Sequence, residues 1–145
     1  MGIRYELAKD IQESINELGK LLFPHVKLDS VVCLRSFGSS SRGTIARCYA
    51  LGKAMQLALG RNGFYVIEVI SHRFDKMSKE DQIRTLIHEL MHIPKSFGGG
   101  FIHHNIVNHK NVEIEYQKYI NLKKGSDFNE SVRDFNEVKE KRKWW

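Results

Sequence analysis

Cysteine and proline are scarce in this chain, with two of each among 145 residues. Two cysteines, Cys33 and Cys48, cannot build a disulfide framework, and they do not form the CxxC pair of a cysteine-held zinc site. They read as buried, reduced thiols; a bridge would need neighbouring strands with Cα atoms within ~7 Å. No apolar run reaches the ~18 residues of a membrane span, so no membrane partner is expected. The opening MGIRYELAKD has acidic residues early and no apolar block with a cleavage site, so no secretory signal is expected and the cytoplasm is the expected compartment. There is no internal repeat and no long Pro/Ser/Gly linker, and the length suits one domain able to bury its own core.

Acidic residues are missing from Ser30 to Ile67, while Arg35, Arg42, Arg47, Lys53 and Arg61 supply five positive charges there. The closing KEKRKWW is basic too, and the net charge is +6. This distribution is that of a surface attracting nucleic acid or acidic partners, and equally that of an ordinary solvated surface. Nucleic acid therefore stays among the candidate partners.

What is present is punctuated helix and strand. Leu7, Ile11, Ile15, Leu18 and Leu22 recur at helical spacing, predicting a helix over Tyr5 to Leu22 closed by Pro24. SVVCLRSF, from Ser30 to Phe37, is rich in β-formers and ends at the polar loop GSSSRG. The next segment, TIARCYALGKAMQLALG, alternates like a strand in its first half, while Leu51, Met55 and Leu59 space like a helix in its second. NGFYVIEVIS reads as a strand opened by Asn62-Gly63. A helix then starts at Ser78, a good N-cap with Asp81 three residues on, carries Ile83, Leu86, Ile87 and Leu90 as its buried stripe, and stops at Pro94. A further helix is expected from His104 to Leu122 with Val112, Tyr116, Tyr119 and Ile120 inward. The last segment has Phe128, Val132 and Phe135 on one face. Residues 1–125 are expected to form the domain, and 126–145 an amphipathic helix and basic tail of the same domain.

The chemistry sits in TLIHELMHIPKSFGGGFIHHN. His88 and His92 lie one helical turn apart, so both imidazoles leave the same face, ~6 Å apart along the axis. That arrangement suits two ligands of one tetrahedral ion. Glu89 is offset by ~100° and reaches a water on the ion without entering its coordination sphere. A Lewis acid beside a carboxylate base is what metal-assisted hydrolysis needs. The bland alternative is a solvated helix face. Apolar Leu86, Ile87, Leu90 and Met91 argue that the helix is buried, and Gly98-Gly99-Gly100 turn the chain back with His103 and His104 as candidate third ligands. Spacing alone does not separate those two. His25, His72 and His109 read as surface or core histidines.

FYVIEVISHRFDKMS followed by LIHELMHIPKSFGGGFIHH resembles a family of small zinc metallopeptidases of archaea and their viruses, distantly similar to SprT-like and minimal gluzincin-like proteases. The likeness spans Val31 to Tyr119 and is strongest from Tyr65 to His104. It implies an α+β, zincin-like core: a small mixed sheet of about three strands packed on the N-terminal helix and the HExxH helix, with helices after them. It implies that Tyr65 to Ile70 is the edge strand bordering the cleft, where a peptide adds as a further strand, and that the Thr44 to Leu51 region is a strand. It makes His88, His92 and His104 the ligands of Zn2+, Glu89 the general base, and a protein or peptide the substrate.

Two departures from related patterns matter. No histidine stands six residues beyond His92, as metzincins would have, and no cysteine zinc ribbon or other DNA-binding module is evident. Two competing functions remain: a catalytically silent, zinc-stabilised module that binds nucleic acid or protein through the basic surface, and a zinc hydrolase acting on a non-peptide amide.

Overall fold

Two β-rich runs form the middle of a four-stranded sheet in the computed structural model, which describes residues 2–125. β1 (Arg4–Leu7) pairs antiparallel with β2 (Val31–Phe37), β2 pairs in parallel with β4 (Tyr65–Ile70), and β3 (Ala46–Ala50) pairs antiparallel with the far side of β4. The spatial order is β1-β2-β4-β3. The helices are α1 (Lys9–Leu22), α2 (Lys53–Leu59), α3 (Ser71–Phe74) and α4 (Lys79–Met91). A fifth, α5, is helical from residue 109 to 125, where the described chain stops. The expected α+β class with a small mixed sheet is what the chain adopts.

One face of the sheet and the helices make the core. Val31, Cys33, Tyr65, Ile67 and Val69 join Ile11, Ile15 and Leu18 of α1, Leu86, Ile87 and Leu90 of α4, and Val112, Tyr116 and Tyr119 of α5 in a single cluster. Ile15, Ile87 and Leu90 have no exposed surface, and truncating any of them to alanine costs roughly 2–5 kcal/mol. Where β1 stops pairing, the Gln12 side chain takes over: its Nε2 donates to the Val31 carbonyl and its Oε1 accepts from Cys33 N–H.

Several expectations need correction. The first helix does not begin at Tyr5. Residues Arg4–Leu7 form β1, and Leu7, expected inward, is 77% exposed. Its spacing to Ile11 imitates a helix, but pairing with β2 gives its backbone a better partner. The sheet consequently has four strands rather than about three.

Tyr65–Ile70 is also not the edge strand. It lies between β2 and β3, and the edge facing α4 and the cleft is β3. A run with five of its six residues buried has apolar surface on both sides, as an interior strand must.

The ambiguous TIARCYALGKAMQLALG contains both halves of its pattern, β3 and then α2. The helix expected from His104 starts at 109 because Asn108 caps it, its Oδ1 accepting from Asn111 N–H at 3.0 Å. Cys33 and Cys48 both sit opposite Ile67, on the two sides of β4. They are thus two strand spacings apart, roughly 9.5 Å, too far to bridge, and both are free thiols. The expected helix over 126–145 lies outside the described residues. Among the described residues, no helix is long and apolar enough to cross a membrane.

Candidate metal centre

α4 delivers the first part of the site. Ser78 caps it, Oγ accepting from Asp81 N–H at 3.2 Å, and Leu86, Ile87 and Leu90 fix its rotation against the sheet. With that face buried, His88 is part-buried, Glu89 retains 5% exposure, and His92, at the C-terminal cap, retains 2%.

Beyond Pro94 the chain is held rather than loose, contrary to what three consecutive glycines suggest. Gln56 Nε2 donates to the carbonyls of Leu51 and Gly98, at 2.7 and 2.9 Å. The buried Tyr65 hydroxyl accepts from Gly99 N–H at 3.0 Å and donates to the Gly100 carbonyl at 2.9 Å. Gly99 has φ +99°, and a Cβ there would stand 2.4 Å from the Leu51 carbonyl oxygen, so only glycine fits this turn. The loop packs as closely on the start of β4: a Cβ on Gly63 would fall 2.1 Å from the Phe97 carbonyl oxygen.

From this anchored loop the chain returns to His92. Ile102 N–H donates to the His92 carbonyl oxygen at 2.8 Å, His92 Nδ1 lies 2.5 Å from the Ile102 carbonyl oxygen, and the Phe101 ring stacks on the His92 ring at 4.3 Å. His104 then faces His88 and His92, with ring centroids 5.4 and 4.9 Å away. One ligand-capable atom from each of His88, His92 and His104 lies within 4.8 Å of the other two. His103 is not in this group; its ring lies 5.6 Å from that of Phe101.

The electrostatics suit a cation. Burial, reinforced by His92, His104 and His109, pushes His88 down to about 4, so its imidazole is neutral with a lone pair to give. His92 is also lowered, by burial and then by the neighbouring histidines, against the opposing pull of the Ile102 carbonyl. Burial pushes the Glu89 carboxyl up to about 7. Three imidazole nitrogens around one tetrahedral ion stand roughly 3.4 Å apart, given bonds of about 2.0–2.1 Å. The donor set, three nitrogens with one neighbouring carboxylate, fits a borderline-soft divalent metal.

A cavity of about 790 Å³ opens beside Glu89, between the start of β3, the N-terminal half of α4 and the start of α5. His109 stands on its wall with His88 and Glu89. No motif or spacing singles it out; the signal in the sequence is Asn108 just before it, a strong N-cap residue where a helix would start.

A family model described as "Putative phage metallopeptidase" matches residues 3–136, nearly the whole chain. The chain belongs to this phage metallopeptidase family. No curated protein and no solved structure matches it. The family match takes in β1 and α1 as well as the histidine cluster, a wider span than the Val31 to Tyr119 likeness in the sequence. For a phage metallopeptidase a metal and a peptide are the expected partners.

The basic stretch is less available than its composition suggests. Arg35 is tied to Asp10 at 2.7 Å and to Asp75 at 2.6 Å. Arg47 lies 3.6 Å from the fully buried Glu68, whose other oxygen accepts from the Tyr49 hydroxyl. Two of the five cations between Ser30 and Ile67 are therefore matched by carboxylates within the fold.

Proposed function

We propose that the chain is a zinc-dependent peptidase in which His88, His92 and His104 hold the metal and Glu89 is the general base. The observation that carries this reading is the convergence of three imidazoles beside a buried carboxylate at the mouth of a cavity. A metal ion held there supplies Lewis acidity to the scissile carbonyl and lowers the pKa of a water. Glu89 accepts that water's proton on a carboxylate oxygen and passes it to the departing amine nitrogen. Its near-complete burial keeps bulk water from competing for the proton. The kinship to SprT-like proteases is part of this proposal and rests on the order of the motifs.

The substrate backbone has a place to lie. Ile70 N–H donates to the Ile45 carbonyl and Leu51 N–H to the Phe64 carbonyl. With the register of β3 on β4, these bonds turn the backbone groups of residues 45, 47, 49 and 51 toward β4. Those of Ala46, Cys48 and Ala50 then face outward along the edge. An extended peptide adds there as a fifth strand. α4 packs against β3, and Glu89 lines the same cavity as Ile45 and Ala46 at the start of that strand, so the carboxylate lies beside the edge.

Metal content by elemental mass spectrometry tests the site. The expected result is one zinc per chain in the wild type, lost in both His88→Ala and His104→Ala and retained in Glu89→Gln. A wild type that holds no metal after zinc is added back overturns the reading. Peptide cleavage that survives Glu89→Gln overturns the role of the base.

A further inference from the structure

The sheet ends on its other side at β1, whose residues are complementary to themselves. Among the described residues nothing pairs with the far side of β1, since the strand order is β1-β2-β4-β3. Its side chains are uncovered as well. Tyr5 is 51% exposed, Ile3, just before the strand, 40%, and Leu7 more than either. Successive side chains of a strand point to opposite faces, so these three share one face of the sheet. Arg4 and Glu6 share the other, where they form an exposed ion pair and the Arg4 guanidinium lies 4.4 Å above the Phe37 ring. Apolar side chains in the open along a free edge invite another strand.

The backbone fixes how that strand would sit. Ala8 N–H donates to the Cys33 carbonyl at 3.0 Å, and Ala8 continues the register in which Glu6 opposes Arg35 and Arg4 opposes Phe37. In an antiparallel ladder the groups that face one neighbour alternate along the strand. Those of Arg4, Glu6 and Ala8 therefore face β2, and those of Ile3, Tyr5 and Leu7 point away from the sheet. A second copy of the same segment, laid antiparallel and centred on Tyr5, meets them with its own. Ile3 then opposes Leu7 of the other copy, Tyr5 opposes its equivalent, and Arg4 opposes Glu6. Moving the centre to Arg4 or to Glu6 sets that residue against itself, and like charges directly opposite destabilise a strand pair. In the favoured register Arg4 and Glu6 fall at the non-hydrogen-bonded sites, where Cα atoms are about 4.5 Å apart and side chains meet most closely.

The helices leave room for this pairing. α1 packs over β2 rather than over the edge, so the two α1 helices would stand three strand spacings apart, about 14 Å. Packed helices need only about 8–10 Å between axes.

We propose that the chain forms a symmetric dimer through β1, with residues Ile3 to Leu7 of two copies paired antiparallel about Tyr5 into one continuous sheet. The two-fold axis makes each contact occur twice, as in any self-complementary interface. The β3 edges lie at the two outer ends of the joined sheet, so peptide docking and dimerisation do not compete.

Analytical ultracentrifugation of the full-length protein, from micromolar to millimolar concentration, tests the dimer. The wild type should pass from monomer to dimer. Arg4→Glu and Glu6→Arg each set like charges opposite one another twice, and each should weaken the dimer on the order of tenfold or more. The double variant Arg4→Glu/Glu6→Arg should restore it. So should an equimolar mixture of the two single variants, in which every opposed pair again has opposite signs. A wild type that stays monomeric, a dimer indifferent to both single variants, or a mixture that does not recover although both variants keep the native circular dichroism overturns the proposal.

A cross-link reads the register without changing any charge. In the proposed pairing the two copies of position 5 have Cα atoms about 5.5 Å apart, within reach of a disulfide, while the two copies of position 7 are out of register with each other. Mild oxidation should cross-link Tyr5→Cys and leave Leu7→Cys uncoupled. Equal cross-linking of the two variants, or none in either, overturns the proposal.

Discussion

His92 and Ile102 are joined twice: Ile102 N–H donates to the His92 carbonyl oxygen at 2.8 Å, and His92 Nδ1 lies 2.5 Å from the Ile102 carbonyl oxygen. A carbonyl only accepts, so Nδ1 carries the proton and Nε2 keeps its lone pair for a metal. The same pair of contacts clips the segment bearing His104 to the end of α4. One short contact thus sets the tautomer of one proposed ligand and the position of another.

Replacing Ile102 by proline removes the N–H of that clip. Zinc affinity, read by competition with a chelating dye, should fall about 10–100-fold. Unchanged affinity would mean that His104 finds its place without the clip.

The metal-free protein should show the cost of Glu89 as a pH dependence. Burial raises its carboxyl from 4.5 to about 7, so the fold prefers the protonated form. That stabilisation is complete below pH 4.5 and is lost as pH rises through 7, on the order of 3 kcal/mol across the window. Burial lowers His88 and His92, which works the other way over part of this range, so the loss is read as a difference: in urea denaturation with a chelator, going from pH 5 to pH 8 should cost the wild type more stability than Glu89→Gln. Parallel pH profiles for the two proteins would refute the assignment.

Tyr65→Phe keeps the ring against Phe97, 4.8 Å between centroids, and removes the hydroxyl that binds Gly99 and Gly100. The loss should be about 1–3 kcal/mol of stability in a denaturant melt. Zinc release to a chelator should also quicken, because the loop leading to His104 loses an anchor. A variant that is destabilised but releases zinc at the wild-type rate would separate the loop from the site.

Without reductant, denatured protein should react with two equivalents of a thiol reagent, and native protein far more slowly. Both thiols are pushed up to about 12 by burial, and β4 stands between them. Fewer than two equivalents in denaturant would indicate a bridge that this sheet order forbids.

How far the sequence reveals this arrangement depends on the range of the forces involved. α4 was legible because Ser78, Leu86, Ile87 and Leu90 act within a few turns of one another. β4 was legible as a strand but its place in the sheet was not, since that is set by β2 and β3. The clue lay in YVIEVI itself, which lacks the polar alternation of an edge. Arg4–Leu7 was hidden because Leu7 falls four residues before Ile11, and only pairing with distant Phe37 to Leu34 decides otherwise. Local spacing left His103 and His104 equivalent; Gln56 and Tyr65, remote in sequence, fix the loop that distinguishes them.

Among the described residues one side of β3 is unpaired, and that has a cost outside catalysis. An edge able to accept one extended chain also accepts others, including the same strand of a second copy, and such pairing is the usual start of sheet-to-sheet aggregation. β3 is only five residues long, with Arg47 at its second position, and a short strand bearing a charge is a poor template for a growing stack. Solubility of this protein is therefore bound to the dimensions of one strand, and lengthening or neutralising it should bring precipitation before any loss of fold.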